Sequence, residues 1–235
     1  MFLDWWAPAK GLRWVDIGCG NGAFTELILR RCAPAEVQAT DPSEGQLEYA
    51  RLRPGAAGAI FQRGDAQALP YASDGFDVAV MALVIFFLPD PAKGVAEMAR
   101  VVRPGGWVTA YGWDGAAGGT PTQVLQDAIV EAGGGMCGRR ATGPSYPDRL
   151  RDLWTTAGFQ HVEIQPIKAR RSFDDFESFW SATSGTGRPK ASLASLGPDG
   201  AMRVKARLQA AMPPDKDGRI SYAANANAIR GQVPG

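Results

Sequence analysis

The chain has 235 residues, 45% of them hydrophobic, which is enough for one substantial domain with a full core. Its 25 basic and 24 acidic side chains leave a net charge of +1 spread along the sequence, so neither a nucleic-acid-binding stripe nor a charged membrane-surface tail is expected. Three scattered cysteines (Cys19, Cys32 and Cys137) have no metal-ligand spacing and no even count for a disulfide framework, which fits a reducing cytoplasm and no metal.

The first half alternates short apolar runs with amphipathic segments, the pattern of a parallel sheet covered on both faces. A strand over Arg13–Ile17 leads through Gly18, Gly20 and Gly22 into a helix over Ala23–Cys32, with Phe24, Leu27 and Ile28 on one face. Residues 36–40 form a second strand, and Asp41-Pro42-Ser43 opens a helix whose Leu47 and Ala50 face inward. A third strand over residues 59–63 is followed by Gly64-Asp65-Ala66 and a turn-rich loop. Residues 76–83 are apolar enough for the buried centre of the sheet. Asp90 caps the next helix and Pro91 begins it; Arg103-Pro104-Gly105-Gly106 stops it, and residues 107–111 are the fifth strand.

Further on, residues 122–132 are expected to be helical, and residues 159–167 and 220–229 to be strands. Phe176, Phe179 and Trp180, then Val204, Leu208 and Ala211, show helical spacing, so residues 173–214 read as a helical lid inserted between two late strands. The longest apolar run, residues 78–88, is far short of the roughly 20 residues that span a bilayer. Asp4 interrupts any apolar core of a signal peptide.

In an open parallel sheet, ligands sit beyond the carboxyl ends of the strands. Asp16 and the glycine turn follow strand one, Asp41 ends strand two and Asp65 follows strand three. A glycine turn feeding a helix brings backbone N–H groups close to a polar or anionic ligand. Asp41 can accept from two ribose hydroxyls, or cap its helix with Ser43. Asp65 can accept from an exocyclic amine while the Ala66 amide donates to a ring nitrogen, or it can finish a turn. Together these residues outline an adenosine with a small charged tail.

With Val15-Asp16-Ile17-Gly18-Cys19-Gly20-Asn21-Gly22, Asp41-Pro42-Ser43, Gly64-Asp65-Ala66-Gln67-Ala68-Leu69-Pro70, Phe76-Asp77 and Arg103-Pro104-Gly105-Gly106 in this order, the chain resembles the class I S-adenosylmethionine-dependent methyltransferases. The likeness is to the small-molecule, ubiquinone- and menaquinone-type group (methyltransferase domain 11-like), and is specific over residues 12–113. It implies an α/β, Rossmann-like, seven-stranded and mostly parallel sheet with helices on both faces. It implies a single domain over residues 1–235, with a donor-binding core at 1–114 and a substrate-side half at 115–235. S-adenosylmethionine would be the cofactor, S-adenosylhomocysteine the product, and a small molecule the acceptor, methylated by in-line displacement. Asp16, Gly18, Cys19, Gly20, Asn21 and Gly22 would hold the methionyl part, Asp41 the ribose, and Asp65 with Ala66 the adenine. Pro42 and Gln46 are further donor-binding candidates, and the backbone over residues 81–83, Leu83 included, is similar to the segment that contacts the methionyl amine.

Enzymes of this look carry a further N-terminal helix that closes over the donor. Here residues 1–10 precede strand one, and Trp5 and Trp6 either supply part of that cover or pack on the sheet edge. No clear catalytic base stands out. His161 and Asp77 read as structural, and Asp114 is the one weak candidate. Phe86, Phe87 and Trp113 are candidates for the substrate pocket, with core packing the alternative for the two phenylalanines. Two other functions fit parts of the pattern: a catalytically inactive donor-binding scaffold, and a nicotinamide-dependent reductase, because Gly18 to Ala23 also satisfies a dinucleotide fingerprint.

Overall fold

The apolar runs around Val15 and Val80 are buried on both sides and pair with each other at the centre of a seven-stranded sheet. The computed structural model describes residues 1–114, 119–120, 122–135, 146–185 and 187–235; Cys137 lies outside them. In chain order the elements are α1 (Phe2–Trp6), β1 (Arg13–Ile17), α2 (Ala23–Cys32), β2 (Glu36–Asp41), α3 (Glu44–Arg51), β3 (Ile60–Arg63), β4 (Phe76–Ala82), α4 (Pro91–Val101) and β5 (Val102–Trp113). They continue as α5 (Gln123–Glu131), α6 (Pro147–Thr156), β6 (Gln160–Phe173), α7 (Phe176–Ser184), α8 (Gly187–Ser195), α9 (Gly197–Ala211) and β7 (Ile220–Gln232). The sheet order is β3-β2-β1-β4-β5-β7-β6.

β1 to β5 pair in parallel, as expected of strands separated by helices. β7 runs against β5: Gly105 and Gly106 bond to Val233 at one end, while Asp114 bonds to Asn225 at the other. The expected stop at residues 103–106 is a bulge rather than the start of a new strand. Val102 pairs with Phe76 and Trp107 with Val78, and the intervening residues loop out at Gly105, where φ is 74°.

Two compact units share the chain. The first comprises Met1–Gly112, Pro144–Ile167 and Asn227–Gly235; the second comprises Trp113–Gly143 and Lys168–Ala226. In the first, Val15, Ile17, Met81, Val95, Met98, Leu150 and Trp154 share one core, and Trp154 donates to the Val108 carbonyl (3.1 Å). In the second, Leu125, Ile129, Phe176, Phe179, Val204 and Leu208 form a separate core. Phe176, Phe179 and the half-buried Trp180 of α7 pack within this second core.

α1 falls outside the elements expected from sequence. Trp6 meets Trp14 edge-on at 5.0 Å, and Trp5 stacks on the Arg230 guanidinium at 5.1 Å, so both tryptophans pack. Trp6 also lines a cavity of about 300 Å³ with Leu12, Asp77, Arg103, Trp107 and Arg230, at the amino end of the strands. Phe2 instead reaches Phe24 and Tyr111, with centroids 5.9 and 5.0 Å away. Among the described residues no helix is long and apolar enough to cross a membrane.

Candidate active site

Gly18, Gly20 and Gly22 follow β1 with φ of 72°, 53° and 77°, a backbone that L side chains rarely adopt. β2 holds the turn. The Thr40 carbonyl accepts from the amides of Gly18 (2.7 Å) and Cys19 (3.0 Å). Asp41 accepts from Gly20 N–H on Oδ2 and from Ser43 N–H on Oδ1, both at 2.9 Å. Ser43, and not Asp41, caps α3, its Oγ accepting from Gln46 N–H.

The three glycines answer to different constraints. A Cβ at Gly18 would lie 2.6 Å from Val84 Cγ2, and one at Gly22 would lie 3.1 Å from the Ala50 Cβ. Among the described residues, a Cβ at Gly20 would meet only Gln46 Oε1, at 3.9 Å. Gly18 and Gly22 let neighbouring elements close on the turn; Gly20 opens on free space. Asn21 is exposed, its Oδ1 accepting from Ala23 N–H at 3.3 Å. Pro42 is exposed as well, and its carbonyl takes the Arg63 guanidinium.

Asp16 is wholly buried, with Oδ2 accepting from Thr25 Oγ at 2.6 Å and, among the described residues, no partner on Oδ1. Burial raises its pKa to about 7; the Thr25 bond opposes the rise and the charge of Asp41 adds to it. Sequence reasoning missed Thr25. The buried stripe of α2 is Thr25, Ile28 and Cys32, and a hydroxyl in an otherwise apolar stripe was the available signal.

Asp65 is exposed and closes its own turn, Oδ1 accepting from Gln67 N–H at 2.8 Å, while Ala66 is buried behind it. Gln67 in turn accepts from Asp90 N–H, tying this turn to the start of α4. Leu83 has φ of 63° and donates its N–H to the Tyr111 carbonyl at 2.8 Å. A left-handed leucine costs about 1–2 kcal/mol, a strain that persists only where the surroundings hold it. Tyr111 packs between Phe2 and Phe24, and burial together with the charge of Asp16 holds its hydroxyl protonated.

Phe86 and Phe87 part company. Phe86 is half-buried against the first core, whereas Phe87 is 72% exposed, so core packing does not account for it. Trp113 and Asp114 belong to the second unit, where Asp114 is buried and donates its N–H to Asn225. His161 is exposed at the start of β6. Asp77 sits at the amino end of β4 and accepts from Arg13 N–H (2.7 Å) and Arg103 Nε (2.6 Å). Burial alone would raise its pKa, but these donors overcome that and hold the carboxyl below its usual range.

Residues 15–110 match the family described as a methyltransferase domain. Over 98 residues the chain is 42% identical to 2-methyl-6-phytyl-1,4-hydroquinone methyltransferase 2 of Oryza sativa subsp. japonica, covering 42% of this chain and 28% of that one. Over 133 residues it is 29% identical to a fatty-acid O-methyltransferase of Mycolicibacterium smegmatis, covering 53% of this chain and 48% of that one. The chain thus spans less than half the length of these curated relatives. A solved structure of a putative methyltransferase from Bacillus halodurans covers 99% of this chain and 97% of its own, with a TM-score of 0.65 at 18% identity. The methyltransferase fold therefore extends beyond the matched domain.

Proposed function

We propose that the chain is an S-adenosylmethionine-dependent methyltransferase acting on a small-molecule acceptor. One observation carries this reading: the backbone at Gly20, whose N–H is held by the strand-end carboxylate of Asp41, faces open space beside Gln46. The residues around it suit the methyl donor. The unpartnered Oδ1 of Asp16 lacks a cationic hydrogen-bond donor, which the methionyl ammonium supplies, and Asp41 has lone pairs left for ribose hydroxyls beyond the two amides it accepts. Asp65 and Ala66 are assigned to the adenine, and the backbone at Leu83 to the methionyl end. Bound there, the donor supplies an electrophilic methyl group on a sulfonium.

The chain's own task is to orient and to exclude water. Holding reacting atoms about 3–3.5 Å apart in line contributes roughly 7–11 kcal/mol. Phe2, Phe24 and Tyr111 form an apolar wall beside Asp16 that keeps water from this end of the sheet. Held protonated, Tyr111 offers an O–H and no base. An acceptor that is already a carboxylate, thiolate or free amine needs none. The relatives, named for a hydroquinone and a fatty acid, support a small organic acceptor. Balanced charge supports the same reading over a nucleic-acid one, and the free thiols of Cys19 and Cys32 support a cytoplasmic setting.

Calorimetry with S-adenosylhomocysteine and with NADH, followed by turnover with hydroquinone and carboxylic acid acceptors, tests the proposal. Binding of S-adenosylhomocysteine and not NADH, with S-adenosylhomocysteine released on turnover, is expected. Binding without turnover across the panel makes the chain a scaffold, and binding of NADH makes it a reductase. Asp41→Ala is expected to weaken S-adenosylhomocysteine binding by about 1.5–3 kcal/mol, the scale for a hydrogen bond to a charged group. It also lowers the melting temperature, because Gly20 and Ser43 lose their acceptor. A variant with unchanged affinity refutes the ribose assignment.

A further inference from the structure

At the amino end of the strands, opposite the glycine turn, the cavity of about 300 Å³ lies within the first unit, lined by Trp6, Leu12, Asp77, Arg103, Trp107 and Arg230. The bulge in β5 helps to form it. Arg103 and Trp107 stand on either side of the looped-out residues, and a Cβ at Gly106 would lie 2.8 Å from the Asp77 carbonyl. Two guanidinia answer Asp77, that of Arg103 at 2.6 Å and that of Arg13 at 3.6 Å. Arg230 pairs with Glu163 at 2.8 Å, and its guanidinium lies 5.1 Å from the ring centroids of both Trp5 and Trp107. Its Nε is buried and, among the described residues, has no acceptor. Within this paired group Arg13, Arg103 and Arg230 face Asp77 and Glu163, which leaves one positive charge over.

We propose that this cavity is a second ligand site, for a small planar aromatic carboxylate, and that α1 couples it to the donor end of the sheet. Its volume is at the low end for small-molecule sites and admits a molecule of one or two rings. The indoles of Trp6 and Trp107 offer such a ring flat apolar contact. The surplus charge and the open Nε of Arg230 call for an anion with an acceptor oxygen, and a carboxylate is both. The coupling follows from the shortness of α1. Five residues do not hold a helix by themselves, so its contacts hold it: Phe2 on Phe24 and Tyr111 at one end, Trp6 on Trp14 and the cavity at the other. A ligand resting on Trp6 secures the helix, and with it the Phe2 ring on Tyr111. The coupling, unlike the site, rests on the methyltransferase reading given above.

Calorimetry tests the site by comparing benzoate and indole-3-carboxylate with their carboxamides and with cyclohexanecarboxylate, on the wild type, Arg230→Met and Trp107→Leu. At least one aromatic carboxylate is expected to saturate the wild type at one molecule per chain. It binds about tenfold or more tighter than its carboxamide and about two- to tenfold tighter than the cyclohexyl acid. Arg230→Met erases the first preference and Trp107→Leu the second, with melting curves confirming that each variant folds. A wild type that binds neither aromatic acid, or binds them no better than the comparison compounds, overturns the site whether or not the variants fold. Unchanged preferences in a folded variant overturn it too, since the acid is then bound elsewhere. Saturating aromatic carboxylate is expected to tighten S-adenosylhomocysteine binding about fivefold, and the nucleoside to tighten the acid equally. No change in either overturns the coupling. Failure of S-adenosylhomocysteine to bind at all, with the acid still bound, would instead sink the methyltransferase reading and leave the site standing.

Discussion

Asp16→Asn is expected to make the protein more stable at pH 8 and far poorer at holding the donor. Burial raises the Asp16 carboxyl from 3.8 to about 7, so between those values the folded chain binds a proton that the unfolded chain does not. Stability tied to this group is therefore full below pH 4 and is lost as pH rises towards 7. The loss is roughly 4 kcal/mol, three pKa units at about 1.4 kcal/mol each. An amide never ionises, and the variant escapes the loss, less the cost of its new N–H₂. Denaturant melts at pH 4 and pH 8 check this: the two proteins differ little at the lower pH, and the variant leads at the higher.

The same carboxylate couples the donor to pH. A proton and a methionyl ammonium compete for the one oxygen that lacks a partner. Below pH 7, S-adenosylhomocysteine affinity is expected to rise about tenfold per unit of increasing pH, with about one proton released per ligand bound at pH 6. Calorimetry in buffers of different ionisation enthalpy counts that proton. In Asp16→Asn the affinity falls about 10- to 100-fold and the slope with pH disappears. A wild type whose affinity is flat between pH 5.5 and 7 removes Asp16 from the donor site.

Gly20→Val is expected to abolish donor binding, whereas Gly18→Ala is expected to damage the fold. At Gly20 the added atoms project into open space past Gln46, so the folded state bears only the left-handed penalty, about 1–2 kcal/mol for an L residue at φ of 53°. The ligand's space is filled instead. At Gly18 even one methyl group overlaps the Val84 side chain at 2.6 Å, so the turn between β4 and α4 must move; overpacking of this kind costs about 1–3 kcal/mol on top of the left-handed penalty. Thermal melts paired with S-adenosylhomocysteine titrations separate the two. If Gly20→Val still binds S-adenosylhomocysteine, the turn does not approach the ligand.

Much of this was legible in the chain because local signals agreed with one another. β1 and α2 lie where apolar alternation gives way to the spaced glycines, and α4 starts where Asp90 caps and Pro91 follows. The helical spacing of Phe176, Phe179, Val204 and Leu208 was visible, and these residues share a core with Leu125 and Ile129 of α5. What escaped was short or two-sided. α1 has five residues, too few for a period, and α6 buries only Leu150 and Trp154. β5 was read too short because Arg103-Pro104-Gly105-Gly106 looks like a stop, whereas the sheet tolerates it as a bulge.

At the site, the carboxylates could be read because each ends or follows a strand. Their partners could not, because hydrogen bonding across elements leaves no mark in spacing. Asp41 holding Gly20, Thr25 holding Asp16, and Leu83 forced into a left-handed backbone are all tertiary facts.

Cys19 lies in the middle of the glycine turn, 7% exposed, with its Sγ directed at the Gly20 carbonyl. Burial first, and then the charges of Asp16 and Asp41, push its thiol well above the usual range. Only a thiolate attacks an alkylating agent at a useful rate. If the turn holds a sulfonium as proposed, an ordinary cysteine here would be open to methylation, and burial beside two carboxylates disarms the sulfur while leaving it in place.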